Sequence, residues 1–150
     1  MKGIRFCLLA ILSVSILVLN GCSKGSNPEG STSVPNVSVS VSFNINQANY
    51  TSLNTVGGVV YLANVGYRGI LVYRISSNSI VAFDRTCTYD ISDANGIVTA
   101  QTNGTAVCLD CGSTYNLANG SVNTGPSTIG LKQYTNVNFN TVTGAVTITN

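Results

Sequence analysis

A chain of 150 residues suits one domain built around one hydrophobic core. Apolar residues make up 44% of it, charged residues only 8%, and histidine is absent, so Ser, Thr, Asn and Gly fill the polar positions. That balance suits an extracytoplasmic β-protein, offers no basic patch for nucleic acid, and lacks the usual general base of an enzyme.

The chain opens with Lys2 and Arg5, followed by an apolar stretch from Phe6 to Leu19 broken only by Ser13 and Ser15. A positive start and a short apolar run mark an export signal; an uncleaved anchor helix is the alternative. Leu19-Asn20-Gly21-Cys22 resembles a bacterial lipobox. That resemblance implies cleavage after residue 21, acylation of Cys22, and a lipoprotein held at the extracytoplasmic side of the bacterial cell envelope, either in the periplasm or on the outer membrane. Losing Lys2 and Arg5 leaves five basic residues against five acidic ones, a net charge near zero. Cys7 leaves with the signal and Cys22 is taken by lipid, so three of the five cysteines remain as thiols. Residues 22–36, rich in Ser, Gly and Pro, read as a flexible tether.

Residues 37–150 read as one all-β domain. Val37, Val39, Val41, Phe43 and Ile45 alternate with polar residues, the period of a half-buried strand. Gly57-Gly58 signals a turn into a strand at Val59-Val60-Tyr61-Leu62. Gly69 opens a strand from Ile70 to Ile75, and Ser76-Ser77-Asn78-Ser79 is a hairpin loop into Ile80-Val81-Ala82-Phe83. Late strands are expected at Val137-Asn138-Phe139 and Val146-Thr147-Ile148, around a turn at Thr143-Gly144. No stretch after the signal has helical periodicity. A generic β-sandwich fits the same strand count.

The three remaining thiols lie in Phe83-Asp84-Arg85-Thr86-Cys87-Thr88-Tyr89 and in Cys108-Leu109-Asp110-Cys111-Gly112-Ser113-Thr114-Tyr115. Gly125-Pro126 and then Leu131-Lys132-Gln133-Tyr134 follow in order. The ordered set resembles a Rieske iron–sulfur domain of the small lipid-anchored bacterial kind. The resemblance implies small antiparallel sheets carrying two cluster loops, electron transfer through a 2Fe-2S centre, and a redox partner if that centre is present. Carried over by position, Cys87 and Cys108 match the cysteine ligands, while Tyr89 and Cys111 stand where the family has its two histidines. Ser113 and Tyr115 match hydroxyls that hydrogen-bond to cluster sulfurs, and Pro126 matches a loop that shields the cluster from water. Asp84 and Arg85 read as braces at the base of the first loop.

Three readings of the thiols stay open. A 2Fe-2S cluster could be held by Cys87, Cys108 and Cys111 with an oxygen from Tyr89, or from Asp90 or Asp110 nearby; its extra negative charge would lower the potential. The cluster could be lost, with Cys87 joined to Cys108 or Cys111 in a disulfide and the domain acting as a cluster-free binding or structural module. Zinc could sit on the same three thiolates. A thiol oxidoreductase is disfavoured, because Cys108-Leu109-Asp110-Cys111 continues into a turn and strand instead of opening a helix.

Overall fold

A computed structural model describes residues 33–150; the expected signal, Cys22 and most of the tether lie outside the described residues. The strands in chain order are β1 (Ser40–Asn44), β2 (Val59–Leu62), β3 (Ile70–Ser76), β4 (Ser79–Asp84), β5 (Val98–Ala100), β6 (Thr105–Cys108), β7 (Thr114–Asn116), β8 (Val122–Thr124), β9 (Gln133–Tyr134), β10 (Asn136–Phe139) and β11 (Ala145–Thr149). They form three antiparallel sheets, ordered β1-β11-β10, β2-β3-β4-β9 and β5-β6-β7-β8. The fold is all-β, with one 3-10 helix at Ala48–Asn54 that the sequence pattern does not announce.

The second sheet is buried on both faces, so two apolar clusters replace the single expected core. Along β3, Ile70 and Val72 point into one cluster with Val60, Leu62, Ala82, Val146 and Ile148. Leu71 points the other way, with Phe83, into a cluster shared with Val98, Ala106 and Tyr115 of the third sheet and with Leu117 just beyond β7. Successive strand residues face opposite sides, and a strand covered on both sides needs apolar residues at every position. That is why Ile70-Leu71-Val72 reads as an unbroken run, all three fully buried. By contrast, β1 keeps its alternation because it lies in the outer first sheet, with Phe43 buried between partly exposed neighbours.

The β3–β4 hairpin runs from Ile70 opposite Asp84 to Ser76 opposite Ser79, with a register shift between Arg74 and Ser76. Arg74 seals this end. Its guanidinium donates to the carbonyls of Leu53, Ser76 and Ser77 and lies 4.5 Å over the Phe139 ring. A buried guanidinium saturated by carbonyls satisfies its donors without a carboxylate.

The end of the tether departs from expectation. Val34 is buried, Pro35 accepts a hydrogen bond from Lys132 Nζ at 2.7 Å, and the Asn36 side chain meets both Lys132 and Asn150. Residues 33–36 therefore belong to the domain surface, because one apolar side chain and two polar anchors outweigh the composition of the surrounding segment.

Truncating Leu71 to alanine removes a fully buried side chain from the second cluster. The expected cost is about 2–5 kcal/mol. Val142, 93% exposed, changes stability by less than about 0.5 kcal/mol when made alanine. Urea denaturation of the two variants checks the pair.

Candidate functional site

Two loops bring the thiols together. The first follows β4 and starts at Asp84, whose fully buried carboxylate collects four donors. Its Oδ1 accepts from the Thr86 amide at 3.0 Å and the Thr86 hydroxyl, and its Oδ2 from the Tyr67 amide at 2.7 Å and the Tyr134 hydroxyl at 2.8 Å. Four hydrogen bonds replace the water a buried carboxylate gives up. Asp84 thus fixes the chain as it leaves the sheet, as expected of a brace. The far side of the loop is tied by the Cys87 amide to Gly96 O at 2.8 Å. A β-carbon on Gly96 would sit 3.2 Å from Asp90 O, 3.3 Å from Asp93 O and 3.4 Å from Cys87 Cβ, so the loop closes over a residue without a side chain. Arg68 clamps it from outside through the carbonyls of Ile91 and Asp93.

The second loop leaves β6 at Cys108. The Gly112 amide returns to Cys108 O at 2.8 Å, and the Cys108 amide reaches Ser113 O at 2.9 Å. Gly112 has φ +75°, a conformation costly for residues with a β-carbon. This knuckle folds Cys111 back over Cys108, so that both thiols point toward Cys87.

The three Sγ atoms all lie within 4.8 Å of one another. Cys87 and Cys111 are 3.4 Å apart, and all three are free thiols. Cys87 and Cys108 are buried; Cys111 is partly exposed. Two hydroxyls meet the sulfurs: Ser113 Oγ is 3.1 Å from Cys111 Sγ, and Tyr115 Oη is 3.4 Å from Cys87 Sγ. Ser113 and Tyr115 therefore stand beside the thiols.

The other residues singled out in the sequence lie differently. Tyr89 is 48% exposed, and the tyrosine hydroxyl against the thiols is that of Tyr115. Asp90 turns back on its own loop, accepting from Ser92. Asp110 faces Asp93, and among the described residues no carboxylate joins the three sulfurs. Pro126 is exposed, while the next residue, Ser127, is buried and donates its amide to Ser113 Oγ at 2.8 Å. The Ser127 and Thr88 hydroxyls meet at 2.8 Å, and Thr88 meets Tyr115 Oη at 3.1 Å. Thr88 and Ser127 escaped the sequence reading because a lone hydroxyl in a loop carries no periodic or spacing signal.

The thiols differ electrostatically. Burial pushes the Cys108 thiol up to about 12 and outweighs the amides of Cys111 and Asp110 that would favour its thiolate. Burial also acts against ionisation of Cys111, but the hydroxyl and amide of Ser113 and the other two thiols overcome it, so its pKa is lowered. Cys111 is the easiest of these two to deprotonate and the more exposed. Burial, and then the Cys87 contact, raise the Tyr115 phenol above its ordinary value. Asp110 is raised by its hydrogen bond to Asp93 and by repulsion from it, and Asp90 is lowered chiefly by Ser92.

No protein-family model matches this chain, and no curated protein matches it either.

Burial and the Asp84 carboxylate raise the Tyr134 phenol well above the ordinary tyrosine value. A free tyrosine ionises near pH ~10. The folded protein keeps this proton where the unfolded chain gives it up, so the contribution is complete below pH ~10 and is lost as pH rises through the folded value. Tyr134→Phe is expected to cost about 1.5–3 kcal/mol near neutrality through the lost bond to a buried carboxylate. It should also flatten the alkaline fall in stability, which urea midpoints measured at about pH 8 and about pH 11 will read.

Proposed function

We propose that this chain is an envelope lipoprotein whose Rieske-like domain binds metal through Cys87, Cys108 and Cys111. The observation that carries the reading is the meeting of three thiols, from two loops separated by a strand pair, within 4.8 Å. Burying three thiols side by side contributes little that aliphatic side chains would not, whereas soft thiolates are the ligands that copper, zinc and iron–sulfur centres select. Hydroxyls of Ser113 and Tyr115 at 3.1 Å and 3.4 Å are placed to offset thiolate charge once the protons are displaced. The ordered motifs that resemble the Rieske pattern support the same reading. Electron transfer is the activity which that resemblance implies, and it requires a redox-active metal at this site.

A second reading is favoured by one contact. Cys87 and Cys111 stand 3.4 Å apart as free thiols, and an extracytoplasmic protein meets oxidants. Closing that pair would give a cluster-free structural or binding module, with Cys108 left over in the apolar cluster.

The full-length protein, purified without oxygen and analysed for iron, copper, zinc, acid-labile sulfide and free thiols, is expected to carry metal. A variant with all three cysteines replaced by serine should carry none. Metal-free protein holding a Cys87–Cys111 disulfide, still unable to take metal after reduction, would end the reading. In fractionated bacteria the wild type should sediment with membranes. Cys22→Ser should move to the soluble fraction or stay with an uncleaved signal of higher mass; wild-type sedimentation with no acyl mass on Cys22 would remove the lipoprotein half of the proposal.

A further inference from the structure

We infer that the three thiolates hold one soft metal ion in three-coordinate sulfur geometry, with monovalent copper the ion of best fit, instead of a two-iron cluster. This rests on reading the thiols as a metal site and specifies what that site takes.

The first argument is size. With metal–sulfur bonds of about 2.3 Å, three sulfurs on a single ion are separated by about 3.8–4.0 Å. The three Sγ atoms fall within 4.8 Å of one another, with the Cys87–Cys111 pair at 3.4 Å. They already occupy the shell of one ion and need move only by fractions of an ångström. In a two-iron cluster the ligands are divided between irons on opposite sides of two bridging sulfides, so the set is necessarily wider. The loops resist such widening, because the Cys108–Ser113 knuckle and the Cys87–Gly96 bond fix the backbone behind each thiol.

The second argument is donor number. A two-iron centre takes four protein ligands in two pairs, and structural zinc takes four nitrogen or sulfur ligands. Here three sulfurs meet, and no carboxylate joins them among the described residues. The chain has no histidine. The Ser113 hydroxyl is engaged with Cys111 Sγ and the Ser127 amide, and the Tyr115 hydroxyl with Cys87 Sγ and Thr88. Both hydroxyls are already partners of sulfur or of other polar groups. Tyr89, the oxygen donor nominated by position, lies half-exposed on its loop. Three thiolates without a fourth donor suit a soft ion with no demand for tetrahedral coordination, and thiolate softness favours monovalent copper.

The test uses full-length protein in detergent, reduced and stripped of metal without oxygen. Separate samples receive monovalent copper against a competing chelator, divalent zinc, and iron with sulfide. The expected result is one copper per chain, with three sulfurs and no fourth ligand by X-ray absorption. Cys111→Ser, changed at the partly exposed position, should bind copper about a hundredfold more weakly while its circular dichroism is unaltered. Tyr89→Phe should bind as the wild type does.

Uptake of two irons and two sulfides per chain would overturn the one-ion inference while leaving the metal reading intact. A four-coordinate copper or zinc centre, or loss of binding in Tyr89→Phe, would overturn it in the same way. Fully reduced protein that takes up none of the three would defeat the inference and the underlying reading together.

Discussion

The phenol of Tyr115 is the point on which the candidate site depends. It is fully buried beneath the thiols, and its hydroxyl reaches Cys87 Sγ and Thr88 of the first loop from a strand that follows the second loop. Thr88 passes the connection to Ser127, and Ser127 returns it through its amide to Ser113 beside Cys111. Four hydroxyl-bearing residues from three separate segments thus form a chain that closes into a ring through the Cys111 and Cys87 sulfurs. Within a buried network each polar group is costly to leave unpaired, so displacing one member strains the others. That mutual dependence fixes the separation of two loops that share no backbone hydrogen bond between their cysteines.

The ring can be rigid because the scaffold beneath it is. Leu71 and Phe83 of the central hairpin pack directly against the cluster that contains Cys87, Cys108 and Tyr115. Gly120 passes so close to the Phe83 ring that a β-carbon would fall 2.6 Å from it, so the third sheet is held tightly on the second. At the hairpin's end, Asp84 converts strand into loop by gathering four donors onto one carboxylate. The order is therefore hairpin, carboxylate, loop, thiol, with each step built on the burial of the one before.

How much of this was legible follows from which forces leave a pattern in sequence. Strands β2, β3, β4, β10 and β11 were readable, because Val59–Leu62, Ile70–Ile75 and Ile80–Phe83 are largely apolar runs, while Val137-Asn138-Phe139 and Val146-Thr147-Ile148 alternate with period two. Of the sheet that carries the second loop, the strand at Thr114-Tyr115 was expected after the cysteine turn, whereas β5, β6 and β8, with only three or four residues each, show no period. The thiols and the hydroxyls of Ser113 and Tyr115 were singled out through the motif resemblance, and the structure places them side by side. Thr88 and Ser127 were invisible because their partners lie 27 and 39 residues away from Thr88 along the chain. Position along the motif named both Tyr89 and Tyr115, and only the buried Tyr115 lies against the thiols. A residue in the loop after a cysteine can turn outward as readily as inward, and nothing local decides which.

On the proposed metal reading, metal and disulfide would compete for the same sulfurs. Joining Cys87 to Cys111 uses two of the three donors, and Cys108 alone cannot hold an ion against water. A bound ion in turn removes the thiolate most open to oxidants, because Cys111 is both the partly exposed member and the one whose pKa is lowered. Metal binding also requires the protons to leave, and burial, which pushes the Cys108 thiol up to about 12, opposes that step there. On that reading, occupancy would depend on which of ion and oxidant reaches Cys111 first. The buried Cys108 then commits the site, since it can complete a three-sulfur shell but has no partner of its own once the other two are joined.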